Sequence, residues 1–373
     1  MIENNLIISN PSLQEVLAYG FEKYEKKNKL DPRVIEVIDQ LISCKTSSLG
    51  GHKSTCEGCG NEVIEYNSCR NKCCPQCSEI SQKNWFFNRA DKLLRGNYHH
   101  LIFKLPQDLN KVFLNNKLKV GNSFFKTVKK ILVKIFRKSK KGITMQLHTD
   151  GSVLSLHPHI HCLISEVGVD KFGNLENNGI EFDLKKLQLE FKKRFLKEFF
   201  KLKDLKYKME MKKYLEINVN RFDVYLASSG KIGIEILEYF SKKVRGGVIE
   251  NSRILELRER TVKFTYRNKN TDMKESEMVL SIDEFIKRIC LHIPAKYQRT
   301  VRHYGLFSSY HVLELRKLQK ELGIVEIEEE EPREKTCIIC NSVKFCNLQL
   351  KKIKHVWDFS ASRNFIRQLR LIA

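Results

Sequence analysis

Seven of the chain's twelve cysteines fall between residues 44 and 77, and that crowding constrains the first part of the chain more than any other feature. Within it, Cys56-Glu57-Gly58-Cys59 and Cys74-Pro75-Gln76-Cys77 are two CxxC pairs with 14 residues between them. Two thiolates separated by two residues turn back onto one metal ion, and two such pairs complete a tetrahedral site. The spacing therefore predicts structural zinc on Cys56, Cys59, Cys74 and Cys77. Cys44, His52, Cys69 and Cys73 crowd the same segment; they can form a second, interleaved site or stay as thiols in a small core. Far downstream, Cys337 and Cys340 form a third CxxC, with Cys346 and His355 nearby, enough for a zinc knuckle in the tail. Zinc would give order to a segment too poor in apolar residues to fold on its own core.

The N-terminus has no basic stretch followed by an apolar core, so no secretory signal is expected and the cysteines point to metal rather than disulfides. No apolar run reaches the roughly 18 residues that cross a membrane, so no membrane partner is expected and the chain is placed in the cytoplasm. The net charge is +23. A surface of that sign suits a polyanion, because Lys and Arg bound to phosphates release counterions.

Apolar periodicity predicts helices within 11–43, over 79–96, over 124–138, 183–203, 231–244 and 282–291. Strands are expected over 98–105, 142–148 and 153–165, the last two joined by the turn Thr149-Asp150-Gly151, and a hairpin over 252–280. The helix over 124–138 carries Lys126, Lys129, Lys130, Lys134, Arg137 and Lys138, either a solvated face or a DNA-facing stripe. An acidic run from Glu328 to Glu331, followed by Pro332, marks a linker. The expected organisation is a helical segment (1–43), a zinc module with its following helix (44–97), a central domain (98–250), a hairpin and helical region (251–325) and a tail (326–373).

The strand Leu156-His157-Pro158-His159-Ile160-His161-Cys162 carries the clearest chemistry. Alternate side chains of a strand share a face, so His157, His159 and His161 point one way, and imidazoles at i and i+2 can hold one divalent cation. A third ligand is expected from the preceding strand, which offers Gln146 and His148 on one face; Gln146 is the choice made here. Such a metal acts as a Lewis acid on a phosphodiester oxygen. On the helix Ile236-Leu237-Glu238-Tyr239-Phe240-Ser241-Lys242-Lys243, Tyr239 shares a face with Lys242 and Lys243.

HPHIHCLI resembles the His-hydrophobic-His signature of HUH endonucleases. Around it, LGGH at 49–52, YNSCRNKCCPQC at 66–77, LIFKLPQDLN at 101–110, LEYFSKK at 237–243 and RHYG at 302–305 resemble transposases of insertion-sequence family ninety-one, in the same order, from about residue 40 to about residue 312. The resemblance implies an α+β fold: an HUH nuclease domain with a mostly antiparallel sheet and packed helices, preceded by a helical and zinc-binding N-terminal module. It implies rolling-circle-like transposition, in which single-stranded DNA at element ends and target is cut and rejoined through a 5′-phosphotyrosine. Carried over by residue, His159 and His161 are the metal pair for Mg²⁺ or Mn²⁺, Tyr239 the nucleophile and Lys242 its phosphate partner. Lys243, Arg302 and His303 are candidate DNA contacts, and the site of action is the bacterial nucleoid. Many relatives carry a second tyrosine four residues after the first; Lys243 stands there, so the chain resembles a single-tyrosine branch. No GxxxxGK[ST] loop occurs, consistent with a reaction that needs no ATP. Alternatives are an HUH replication initiator, a zinc-dependent DNA-binding protein without activity, and a phosphohydrolase using water.

Overall fold

The computed structural model describes residues 7–205, 222–267, 275–323, 336–340, 343 and 345–350. In chain order its elements are β1 (Ile7–Ser9), α1 (Leu13–Lys27), α2 (Pro32–Ile42), β2 (Gly51–Cys56), β3 (Glu62–Tyr66), α3 (Ser78–Ala90), β4 (Asn97–Lys104), α4 (Asn110–Asn115), α5 (Lys117–Ile135), β5 (Ser139–Asp150), β6 (Leu156–Asp170), β7 (Leu175–Glu176), α6 (Leu184–Phe200), β8 (Asp223–Ile232), α7 (Gly233–Arg245), β9 (Ile254–Arg258), β10 (Thr261–Arg267), β11 (Glu275–Ser281), α8 (Ile282–His292), β12 (Val301–Gly305), α9 (Val312–Leu322) and β13 (Phe345–Leu350). The class is α+β, and every strand pair described is antiparallel. None of the described helices is long and apolar enough to cross a membrane.

The chain divides into two compact units, one of Met1–Ser81, Arg245–Ile293 and Ile327–Ala373, the other of Gln82–Val244 and Pro294–Glu326. In the first unit, Ser12 opens α1 with a reciprocal cap: its hydroxyl accepts from the Glu15 N–H at 3.2 Å, while the Glu15 carboxylate accepts from the Ser12 N–H at 2.7 Å. Asp31 caps α2, and Pro32 occupies its first turn, where no N–H is required. Gly20 lets α1 lie close against Ile282 of α8; a Cβ there would collide with that side chain. The segment expected as one hairpin is instead three strands. They form the sheet β1-β9-β10-β11, with the N-terminal β1 completing an edge. The second sheet of this unit, β13-β2-β3, adds a strand from the far end of the chain to the hairpin that carries Cys56. Residues 328–332 and His355, singled out above, lie outside the described residues.

In the second unit the sheet runs β12-β5-β6-β4-β8, with β7 beside β6. The histidine strand β6 is thus the middle of the five. Helices α5 and α6 pack together through Phe124, Phe191, Phe195 and Phe199, all fully buried. Phe191, Phe195 and Phe199 recur every four residues along α6 and keep one face inward, each worth about 2–3 kcal/mol of burial. Much of the basic stripe on α5 is engaged here: Lys126 and Lys130 both lie 2.8 Å from the buried carboxylate of Glu198, and Lys134 lies 3.0 Å from Glu190. These three lysines fasten α5 to α6. Gly305 ends β12 with φ +58°, close against the Lys141 carbonyl, a conformation and an approach that only glycine fits.

Candidate functional site

The sulfurs assemble into two clusters, and their partnership corrects the sequence expectation. Cys74 and Cys77 meet Cys44 and Cys69, not Cys56 and Cys59, and the four sulfurs lie within 4.8 Å of one another. Cys44 follows the end of α2, Cys69 follows β3, and Cys74 and Cys77 flank a single 3₁₀ turn. The Cys44–Cys77 and Cys69–Cys77 separations are 3.5 and 3.7 Å, close to the edge of about 3.8 Å of a tetrahedron with Zn–S bonds of about 2.3 Å. Neighbouring thiols, Cys44 first, push the Cys77 thiol down, and the same proximity pushes the Cys74 thiol up.

Cys56 and Cys59 meet the tail pair Cys337 and Cys340, with separations of 3.5 Å between Cys56 and Cys340 and 3.6 Å between Cys59 and Cys337. The pairing of β13 with β2, which sets Phe345 opposite Cys56, carries the tail CxxC to the hairpin. Backbone N–H groups of Cys340 and Ile339 donate to the Cys337 sulfur and lower its pKa to about 6, favouring the thiolate that a metal needs. His52 and Cys73 join neither cluster. His52 is exposed on β2, and Cys73 is buried while its carbonyl accepts from the Val248 N–H at 3.3 Å. The tail is therefore no separate knuckle: its two cysteines complete the site of the first CxxC pair.

In the second unit, the pairing of β5 with β6 puts His148 opposite His159 and Gln146 opposite His161, all on one face. Ring nitrogens of His148, His159 and His161 converge to within 4.8 Å. His148 thus joins the imidazoles, a place the sequence reading gave to Gln146. Gln146 remains beside the cluster, and its amide oxygen is buried with no hydrogen-bond partner among the described residues, an acceptor open to a cation. His157 stands outside the converging set, its ring 5.5 Å from that of His159.

Two second contacts orient the rings. His159 Nδ1 donates to the His157 carbonyl at 2.6 Å, which leaves the Nε2 lone pair for a metal. His161 Nδ1 lies 2.8 Å from Nε2 of His100, a residue of β4 that sequence reasoning passed over. Burial, reinforced by the charge of His148, lowers the pKa of His100 to about 4 and that of His159 to about 3. Neutral imidazole, the ligating form, is thus the state at neutral pH.

Tyr239 reaches the same place from α7. Its ring centre lies 5.5 Å from that of His100 and 6.1 Å from that of His161, and it stays 43% exposed, open to a substrate. Phe240, buried beside it, packs its ring 5.2 Å from that of His100 and 6.0 Å from that of His161, and Leu237 is buried as well. Gly233 sets the start of that helix against the Tyr98 ring, where a Cβ would approach to 2.5 Å. Lys242 is exposed one turn on from Tyr239; of Lys243 only the backbone, within α7, is described. Arg302 and His303, expected as DNA contacts, are engaged inside the unit. Arg302 donates to the Asn122 side chain and lies 4.2 Å from the Phe125 ring centre, and His303 Nδ1 is 3.0 Å from the Thr144 hydroxyl.

The chain was compared with known proteins. The transposase zinc-binding domain family matches residues 16–105, and the family described as "Putative transposase" matches residues 142–313. A relative from Sinorhizobium fredii, "Putative transposase y4qJ", is 27% identical over 85% of this chain and 85% of its own length. The transposase for insertion sequence element IS801 of Pseudomonas savastanoi pv. phaseolicola is 24% identical over 74% of this chain and 70% of its own. No solved structure matches. The two family matches fall in the order zinc-binding then transposase, one over the cysteine-rich segment and the other over the histidine strand and Tyr239, and the chain belongs to the transposases of insertion-sequence family ninety-one.

Proposed function

We propose that this chain cuts and rejoins single-stranded DNA in rolling-circle-like transposition, with Tyr239 as nucleophile on an HUH-type sheet. The observation that carries the reading is the convergence of a partly exposed tyrosine ring on His100 and His161, although Tyr239 lies 78 residues from His161 in the chain. The five-strand antiparallel order with the His-Ile-His strand at its centre supports the fold assignment.

The phenol oxygen of Tyr239 attacks the scissile phosphorus. The P–O3′ bond breaks, the 3′-oxygen leaves and takes up a proton, and the 5′-phosphate stays esterified to tyrosine. A later 3′-hydroxyl reverses the step and restores the phenol, so the bond energy is conserved without ATP. Lys242, on the same helix face as Tyr239, steadies the phosphate charge. His148, His159 and His161, with Gln146 beside them, would hold Mg²⁺ or Mn²⁺, which supplies Lewis-acid stabilisation of charge on the phosphoryl oxygens. His100 holds the ring of His161 in place. We further assign one structural zinc to Cys44, Cys69, Cys74 and Cys77 and another to Cys56, Cys59, Cys337 and Cys340.

A single-stranded oligonucleotide carrying an element end, labelled at one terminus or the other, tests the chemistry. The label 3′ to the nick should migrate with the protein after denaturation and the label 5′ to it should be freed. The opposite distribution, or nicking without any adduct, contradicts the scheme.

A further inference from the structure

A cavity of about 710 Å³ opens on the reverse of the catalytic sheet, floored by Ile143 and Met145 and bounded by the end of α5, the β6–β7 turn and the end of β12. On β5 these two residues alternate with Gln146 and His148 and so face away from the imidazoles. The rim is basic. Lys140 is held by Glu314 at 2.8 Å and Lys141 donates to the Glu166 carbonyl at 2.6 Å. Lys129, Arg137, Lys138 and Lys171 line the same opening with no acidic partner among the described residues. Of the aromatic rings among them, two carry an ammonium group over the ring. Tyr304 has the Lys129 ammonium 5.1 Å from its centre, and Phe172 has that of Lys171 at 4.7 Å.

Phe172 is 76% exposed, yet it is not loosely placed. The Asp170 carboxylate accepts from the N–H groups of Phe172 at 2.8 Å and Asn174 at 2.9 Å, and fixes the turn that presents the ring. An apolar ring held in water beside unpaired cations suits a base face flanked by phosphates, the combination that binds single strands. A duplex hides its base faces and leaves the ring unused.

We infer that this cavity is a second docking site for single-stranded DNA, separate from the strand cut at the imidazoles and reached around the β12 edge of the sheet. The inference rests on the proposal that the substrate is single-stranded DNA. The test uses the full-length, zinc-loaded chain without added Mg²⁺ or Mn²⁺ and an oligodeoxythymidylate of about 12 nucleotides bearing 5-iodouracil. Irradiation should cross-link the peptide holding Phe172 or that holding Tyr304, and should do so equally in H159A/H161A. F172A should weaken binding about tenfold, with F172L not restoring it, and R137E/K138E should lower the salt slope by about 1.4. Cross-links confined to peptides with His100 or Tyr239, unchanged affinity in F172A, or a duplex bound as tightly as the single strand overturns the inference. Set beside a separate incubation of the same protein with Mn²⁺ and single-stranded element-end DNA, a covalent Tyr239 adduct there without a Phe172 or Tyr304 cross-link here defeats this site alone; the cross-link here without an adduct there defeats the nuclease reading alone.

Discussion

Removing the tail thiols by Cys337→Ser with Cys340→Ser separates the two cysteine clusters experimentally. The wild-type chain should bind two zinc ions and the double variant one, because Cys44, Cys69, Cys74 and Cys77 are untouched. The energetic cost follows from where the lost cross-link sits. Cys59 meets Cys337 across 278 residues of chain and Cys56 meets Cys340 across 284. Closing a loop of that length removes conformational freedom from the unfolded chain worth about 6 kcal/mol. For a unit of this size that corresponds to a fall in Tm of roughly 12–24 °C. Elemental analysis of zinc per chain and a thermal melt check both figures. Retention of two zinc ions, or loss of both, would refute the four-and-four partition.

Three further outcomes follow from the geometry. Gly305→Ala should break the edge pairing of β12 with β5, because its φ of +58° and its contact with the Lys141 carbonyl leave no room for a Cβ; amide exchange of residues 142–146 should rise sharply, and unchanged protection contradicts the packing. Mn²⁺ titrated into His100→Ala should bind about 10–100-fold more weakly, the scale for a partner that orients a ligand, and His148→Ala should lose more; equal affinity in all three proteins removes His148 from the ligand set. In metal-free protein, His100 and His303 have pKa values lowered to about 4, chiefly by burial. The unfolded chain then binds more protons than the folded one between pH 4 and about 6.5, so stability is complete above that window and is lost as pH falls through it, by up to about 3 kcal/mol for His100. Flat stability over that range in urea melts contradicts the burial.

Local chemistry was legible in the sequence, and partnership at a distance was not. The His-Ile-His alternation puts His159 and His161 on one face of β6 because a strand's period is two, and their ring nitrogens do converge. Gln146 and His148 share one face of β5, opposite His161 and His159; periodicity does not choose between two residues on the same face, and Gln146 was preferred over the imidazole two residues on. His100 showed no pattern of its own, since its role comes only from β4 lying beside β6. The CxxC spacings announced that cysteines would cluster but not which pairs would meet. The tail pair was half a site in search of another, and the only available signal was that Cys337 and Cys340 alone cannot fill a tetrahedron. The extra strand β1 on the β9–β11 sheet, like β13 on β2, is a pairing across more than two hundred residues. The basic residues over 124–138 read equally as a solvated face or a DNA-facing stripe, and the sequence held no sign that Lys126, Lys130 and Lys134 meet Glu198 and Glu190 of α6.

The central claim is that the Tyr239 phenol and the imidazoles of β6 act on one phosphate. Its most direct test is mass spectrometry of the protein after incubation with Mn²⁺ and single-stranded element-end DNA, followed by nuclease and protease digestion. A nucleotide attached through phosphate to the peptide bearing Tyr239, absent from Tyr239→Phe and from His159→Ala/His161→Ala, is the predicted result. A nucleotide on another residue, or an adduct that persists in Tyr239→Phe, contradicts it.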